Sequence, residues 1–206
     1  MGYLSENTLE TIADRISSAE SKSSCELLAV FAGRSDDYSY IPMLWAAVAA
    51  LLLPVIVYIF FPLSGLGIAE FSSLQLLAFM LFAVILRLDR LGIRVVPRQV
   101  KMKRAALAAH MQFASHGLNS ADAPPAILFF VSFDERYVQI ITNAKVQIGD
   151  EVWQGIIDKM IERIKADALE KGMIEAVDEI SKVMAGQCPV RSKSDINKFP
   201  NRLIIL

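Results

Sequence analysis

An uninterrupted apolar run from Ile41 to Phe61 constrains this chain more than any other feature of its sequence. The run carries no charge, and a helix of about 20 such residues spans the hydrocarbon core of a bilayer, which is about 30 Å thick. Pro54 is compatible with such a helix, because neighbouring groups in a membrane protein can satisfy the carbonyl that proline leaves free. Tyr40 and Tyr58 lie near its two ends, where interfacial aromatic residues are enriched. The sequence therefore predicts a transmembrane helix at residues 41–61.

A second apolar segment follows, and it is weaker. Its uninterrupted part, Leu76 to Leu86, is too short to span a bilayer alone. It must extend towards Ile68 or let Arg87 reach the interface with its long side chain. The alternative is a buried or re-entrant helix. We predict a second transmembrane helix at residues 74–92 and an external loop at 62–73, since a single crossing would put the two soluble parts on opposite sides of the membrane.

The flanking charges predict the orientation. Residues 62–73 contain no Lys or Arg, whereas seven basic residues follow the second segment: Arg87, Arg90, Arg94, Arg98, Lys101, Lys103 and Arg104. Positive charge is retained on the cytoplasmic side of a membrane. A basic run can also be the solvated face of a helix, but its place directly after an apolar segment favours the topological interpretation. We expect a hairpin in the cell (inner) membrane with both termini in the cytoplasm.

The overall composition excludes one class of partner. The formal net charge is -1, so no domain-wide basic excess is present to collect phosphates, and nucleic acid is not an expected partner. The mean hydropathy of +0.41 coexists with 21% charged residues because the apolar residues are concentrated in the two segments. Cys25 and Cys188 lack metal-ligand spacing, and the strand pattern around Cys25 predicts a buried free thiol.

The remainder of the chain has the pattern of a soluble α/β protein. Helical periodicity and strand-like apolar runs predict these elements: a helix at 5–22, a strand at 25–32, a helix from Pro97 to Gly117 with Val100, Leu107, Met111 and Leu118 on its apolar face, strands at 127–133 and 137–142, and two helices separated by Gly172. Asp134 and Glu135 make the tight reversal between the second and third strands.

The order of these elements predicts the topology. A strand needs a partner, and the strand at 25–32 has one if it pairs with 127–133 through a parallel crossover into which the membrane hairpin is inserted. The predicted fold class is therefore α/β, with a small mixed sheet (a βαββ core) flanked by helices. Residues 1–40 and 93–206 would form one discontinuous domain.

The chain resembles the TPM domain family, in the short bacterial form that carries an internal pair of membrane helices. The resemblance rests on "AESKSSCELLAVFAGRSDDYSYIPMLWAAVAALLLP", "ILFFVSFDERYVQIITN", the Trp of "EVWQGIIDKMIERIK", "KGMIEAV" and "NKFPNRLIIL". It implies a small α/β fold with a mixed sheet. TPM domains have been linked to phosphatase activity, to cation binding and to assembly or repair of membrane complexes.

The chain departs from the family pattern at two places. Thr142 and Asn143 stand where relatives typically read Ala-Asp, and residues 123–126 read Ala-Pro-Pro-Ala where relatives have Thr-Gly. Loss of a carboxylate weakens an inherited metal site. The resemblance is therefore carried over to the fold and the topology but not to catalysis.

A search for chemistry in the sequence yields one candidate site. No glycine-rich phosphate loop, nucleophile elbow or histidine metal motif is present. Ligand sites of open α/β sheets lie at the carboxyl ends of parallel strands. Four acids follow the two predicted parallel strands: Asp36, Asp37, Asp134 and Glu135. Together they would suit a hard cation such as Ca²⁺, which prefers several oxygen ligands; alternatively they are solvated turn acids that pair with Arg87, Arg90 or Arg94.

Two functions from different classes follow. The first is a membrane-anchored, cytoplasm-facing TPM-like domain that acts as an interaction or assembly module for an unidentified membrane protein, with the lipid bilayer as its other partner. The alternative is a metal-assisted phosphatase of the TPM type. The four carboxylates discriminate between them, because the enzyme needs a metal and a polar pocket and the module needs neither.

Overall fold

The structure, a computed structural model, describes residues 3–60, 67–87, 92–188 and 203–206. Within these ranges it contains six α-helices, a short 3-10 helix and four strands. Their bounds are α1 Glu6–Glu20, β1 Glu26–Ala32, α2 Tyr40–Phe60, α3 Ile68–Arg87, the 3-10 helix Ile93–Val95, α4 Arg98–Ser115, β2 Ala126–Ser132, β3 Tyr137–Thr142, α5 Asp150–Lys165, α6 Leu169–Gln187 and β4 Ile204–Ile205. The chain divides into two compact units, one formed by Met1–Ser35 with Met102–Leu206 and one by Asp36–Lys101.

The first unit, the sheet unit, contains a mixed sheet with the strand order β3-β2-β1-β4. β1 and β2 are parallel, with Val30 opposite Phe130, and β2 and β3 form the antiparallel hairpin that the sequence predicts. The mixed α/β sheet is thus confirmed. β4 was not predicted: it adds a parallel strand of two residues on the outer side of β1, and Leu206 N–H donates to the Phe31 carbonyl (2.9 Å).

Both central strands are buried along their whole length because helices cover both faces of the sheet. Side chains alternate between the faces. On one face, Leu27, Ala29 and Phe31 of β1 pack with residues of α1, α5 and α6. On the other face, Leu28 and Val30 pack with residues of α4 and of the segment that follows it. In the part of this unit that the structure describes, three helices therefore lie on one side of the sheet and one on the other.

The apolar face of α4 differs from the predicted one. Leu107 and Met111 were expected to face the core, but their side chains are 51% and 61% exposed. Ala105 and Ala109 are the buried residues of this helix. The physical reason is size: the sheet face below already carries large side chains such as Phe130, so a helix that presents alanines can approach it closely.

The prediction for the cysteines is half right. Cys25 is buried, but it is not a free thiol, because a disulfide joins it to Cys188 with a Cα–Cα distance of 5.7 Å. Cys188 follows α6, and its carbonyl oxygen accepts hydrogen bonds from the Ser24 N–H (2.8 Å) and the Ser23 hydroxyl (3.0 Å). These contacts bring two residues that are 163 positions apart within bonding distance.

The second unit, Asp36–Lys101, contains the two helices that are long and apolar enough to cross a membrane by length and composition, α2 and α3. They pack against each other, and their buried positions include the small residues Ala46 and Ala50 of α2 and Ala78 of α3. Small residues let two helices approach closely in lipid. The large apolar side chains of both helices are otherwise mostly exposed, which is typical of lipid-facing helices and not of core helices.

The bounds of α2 match the predicted span closely, whereas those of α3 do not. The predicted span 41–61 falls on α2 to within one residue. α3 begins at Ile68, six residues before the predicted span 74–92, because Glu70 is accommodated in its first turn, where the helix dipole favours an acid. Part of the predicted external loop 62–73 is therefore helical. Residues 61–66 and 88–91 lie outside the described residues.

Candidate functional site at the ends of the parallel strands

The carboxyl ends of β1 and β2 lie side by side because the two strands are parallel and in register. The hydrogen-bonded ladder continues beyond them. Phe133 N–H donates to the Ala32 carbonyl (3.0 Å), and Asp134 N–H donates to the Gly33 carbonyl (3.1 Å). The segment after β1 is thereby held against the β2–β3 turn, and this juxtaposition creates the candidate site.

A buried polar cluster lies at this point. The Ser35 hydroxyl donates to the Ser132 Oγ (2.7 Å), and the Ser132 hydroxyl donates to the Glu135 Oε2. The Ser35 N–H donates to the other oxygen of the same carboxylate, Glu135 Oε1 (3.0 Å). Glu135 is 3% exposed and Ser132 is fully buried. Both oxygens of the Glu135 carboxylate thus have donors within the protein, as a buried carboxylate requires.

A second carboxylate of the same turn is paired. Asp134 Oδ2 accepts a hydrogen bond from Arg34 Nε (2.9 Å), and both side chains are partly exposed. Among the residues that the structure describes, the partner of this turn acid is therefore an arginine directly after β1.

The local backbone explains why these residues converge. Arg136 adopts a left-handed conformation (φ 50°) that tightens the turn between β2 and β3. Gly33 leaves room for the Tyr3 ring, since a Cβ at this position would lie 2.6 Å from Tyr3 Cε2. The Tyr3 ring also contacts Phe31 and Phe133, with ring centroids 5.7 Å and 5.2 Å apart. Tyr3 therefore covers the end of β1.

Beside the cluster, Tyr137 is the residue of β3 that pairs with Ser132. Its hydroxyl donates to Gln139 Oε1 (2.8 Å), or accepts from a flipped amide, and burial raises the pKa of this phenol. Tyr137 therefore remains a neutral hydrogen-bonding group and not a nucleophilic phenolate.

The four predicted acids fall into two pairs. Asp134 and Glu135 lie together in the sheet unit, whereas Asp36 and Asp37 belong to the other compact unit, where Asp36 Oδ1 accepts the Asp37 N–H (2.8 Å). Among the residues that the structure describes, no group of three or more His, Cys, Asp or Glu side chains is arranged to hold a metal ion. A Ca²⁺ site made by all four acids stays a prediction.

Sequence reasoning missed three members of the site: Arg34, Ser35 and Ser132. One signal was available, since Ser132 is the polar residue in the otherwise apolar run of β2. A lone polar side chain in a buried strand must find a hydrogen-bonding partner, and Glu135 is three residues away.

Asn143, one of the residues that the family resemblance marks as a departure, has a structural role here. The Asn143 amide Nδ2 donates to the Pro124 carbonyl (2.6 Å) and to the Leu118 carbonyl (3.3 Å). Its Oδ1 accepts the N–H groups of Ala126 and Lys145, both at 3.3 Å. One amide thus joins the end of β3 to the segment that precedes β2, and it uses both its donors and its acceptor.

We expect Asn143→Asp to lower the free energy of unfolding by about 2 kcal/mol, because a carboxylate cannot donate to two carbonyls and would face them with a negative charge. Thermal unfolding of the full chain in detergent measures the effect. Asn119→Asp is the matched control: Asn119 is exposed, so this variant should stay within about 0.5 kcal/mol of wild type. Unchanged stability of Asn143→Asp, or stabilisation of it by Ca²⁺ or Mg²⁺, would contradict the structural role.

The comparisons with known proteins bear on the fold and the family. Residues 91–183 match the family model described as the TPM domain. α1 and β1 precede the matched region because the helix pair α2–α3 separates them from it along the chain. No curated protein matches the chain. The NMR structure of the BA42 protein from the psychrophilic bacterium Bizionia argentinensis is similar, with a TM-score of 0.57 and 12% identity, over 99% of this chain and 96% of that one. At this identity the likeness shows the fold alone.

Proposed function

Because the chain contains a TPM domain, we propose that it is a membrane-anchored module whose sheet unit faces the cytoplasm and binds another membrane protein. The observation that supports the proposal is that the polar groups of the site are hydrogen-bonded to other groups of the protein. Glu135 and Asp134 are hydrogen-bonded within the protein at the carboxyl ends of the parallel strands, and Asn143 is hydrogen-bonded within the protein at the opposite end of β2. An interaction module needs no open metal site, whereas a metal-assisted phosphatase does.

The anchor and the orientation rest on the second unit and its flanks. α2 and α3 have the length and composition of membrane-spanning helices, and basic residues follow α3 while the segment between the helices lacks them. A cytoplasmic sheet unit has a consequence for the disulfide. Because the cytoplasm keeps thiols reduced, Cys25 and Cys188 would be thiols in the cell and would pair on oxidation.

The test of the interaction is co-purification from membranes after cross-linking, with the partner identified by mass spectrometry. The control is Val30→Asp, which keeps α2 and α3 but removes the folded sheet. A membrane protein enriched several-fold with wild type over this variant is expected. If the two give the same set of proteins, the sheet unit does not recruit a partner and the proposal is wrong.

We also expect no appreciable phosphatase turnover from the purified full chain. Asn143 stands where relatives carry a carboxylate, and the Ser132 hydroxyl is fully buried, so it is not presented to a substrate. Hydrolysis of p-nitrophenyl phosphate in the presence of Mg²⁺ or Ca²⁺ measures the activity. Sustained turnover that Asp36→Ala combined with Asp37→Ala abolishes would support the metal-assisted phosphatase instead.

A further inference from the structure

The sheet unit carries opposite charge on its two helical faces. On one face, the part of α4 that belongs to the sheet unit carries two basic residues and no acidic one, Lys103 and Arg104; Arg98 and Lys101, at the start of the same helix, belong to the second unit. The three helices on the other face, α1, α5 and α6, together contain twelve acidic and six basic residues. The unit is therefore polarised across its sheet, with the positive face formed by the first helix after the apolar pair.

The outer side of α4 also carries exposed apolar side chains beside its basic ones. Lys103, Leu107 and Met111 follow one another at four-residue spacing, so they form one stripe, and Arg104 lies beside Leu107 on the same side. All four side chains are exposed, whereas Ala105 is buried and Ala109 packs against the sheet. Basic side chains next to exposed long apolar ones are the pattern of helices that lie at a membrane interface.

We propose that the outer side of α4 lies against an anionic phospholipid surface, with Lys103 and Arg104 at the headgroups and Leu107 and Met111 at the boundary with the acyl chains. Charge complementarity selects this face, since the acidic three-helix face would be repelled by the same surface. This inference goes beyond the proposed function, because it involves no protein partner.

The segment that connects α3 to α4 keeps the lipid surface close to α4. Arg98, the first residue of α4, follows Arg87, the last residue of α3, by eleven residues. At the length of an extended chain this tether is at most about 40 Å long. A bilayer crossed by α3 would therefore always lie within reach of α4. An acidic protein surface would complement the charges equally well, but it would not account for Leu107 and Met111 beside them.

The experiment places a fluorescent probe on the stripe. The full chain carrying Leu107→Cys is labelled with bimane and reconstituted, one copy per nanodisc, in phosphatidylcholine alone or mixed with phosphatidylglycerol. In both lipids the acyl chains are brominated near the headgroup, so that contact quenches the probe. The native cysteines, Cys25 and Cys188, are buried and compete little for the label. Quenching at residue 107 should be several-fold stronger with phosphatidylglycerol, and Ser18→Cys on α1 should stay unquenched in both.

Charge variants test the cause. Each basic side chain near an anionic surface shifts binding about fivefold, so Lys103→Gln with Arg104→Gln should reduce the ratio of docked to free units about 25-fold. Lys165→Gln with Lys182→Gln removes the same charge from exposed positions of the opposite layer and should leave the quenching unchanged. Raised salt should weaken the quenching, as for any exposed charge interaction.

Three results would overturn the proposal, provided that circular dichroism shows the variants to be folded. One is quenching at residue 107 that is absent or equal in the two lipids. Another is quenching that survives Lys103→Gln with Arg104→Gln. The third is protection of the probe at residue 107 from water that does not depend on lipid charge and that, in detergent, rises with protein concentration. Such a result would indicate that a protein surface, for example the acidic layer of a second copy, covers the stripe.

Discussion

Replacing Val30 with aspartate should unfold the entire sheet unit, including the part of the chain after residue 102. Val30 is fully buried at the centre of β1, opposite Phe130 of β2 and Ile204 of β4. Burying an unpaired carboxylate there costs several kcal/mol, which is comparable to the total stability of a domain, about 5–15 kcal/mol. Limited proteolysis in membranes, followed with an antibody to the C-terminus, measures the result.

Val152→Asp provides the matched control. Val152 lies on α5 and is 45% exposed, so the same change of side chain there buries no charge. Its C-terminal fragment should remain as resistant to protease as that of wild type. Equal resistance in Val30→Asp would mean that β1 belongs to no shared sheet, and the discontinuous unit would be wrong.

The second large effect concerns the buried carboxylate at the ends of the parallel strands. Glu135→Ala should lower the free energy of unfolding by about 3 kcal/mol, because it leaves the Ser35 N–H and the Ser132 hydroxyl without their acceptor in a buried place. Thermal unfolding in detergent, followed by the fluorescence of the buried Trp153, measures the loss.

Glu135→Gln separates a structural role from cation binding. Glutamine keeps the shape and one acceptor oxygen, so we expect it to retain more than half of the stability that alanine loses. Ca²⁺ should leave the unfolding temperature of wild type unchanged. A rise in that temperature with Ca²⁺, absent in Glu135→Gln and in Asp134→Asn, would show that this turn is part of a cation site.

The sheet was predictable from the sequence because its central strands are continuous apolar runs, which few environments other than a covered sheet accommodate. The parallel pairing followed from the need of β1 for a partner across the apolar insertion. β4 could not be predicted, since two residues carry no periodicity. The prediction for the buried face of α4 was wrong because it ranked the side chains by hydrophobicity and not by size. Leu107 and Met111 are the more apolar residues, but the smaller Ala105 and Ala109 are the buried ones.

The sequence predicted where in the fold the candidate site would lie, but not which residues would form it. The carboxyl ends of the parallel strands were the expected position, and Asp134 and Glu135 lie there. Their partners Arg34 and Ser35 come from the other strand end, about 100 residues away in sequence, and no local pattern links the two segments. The disulfide between Cys25 and Cys188 was missed for the same reason, since its spacing carries no signal.

We propose that the sheet unit, which residues on both sides of α2 and α3 form together, faces the cytoplasm. Labelling of intact cells with a membrane-impermeant maleimide tests it most directly. Ser64→Cys places a thiol between the two apolar helices, and Ser18→Cys places one on the exposed side of α1; the native cysteines are buried and contribute little background. We expect Ser64→Cys to be labelled in intact cells and Ser18→Cys only after permeabilisation. Labelling of Ser18→Cys in intact cells, with Ser64→Cys protected, would contradict it.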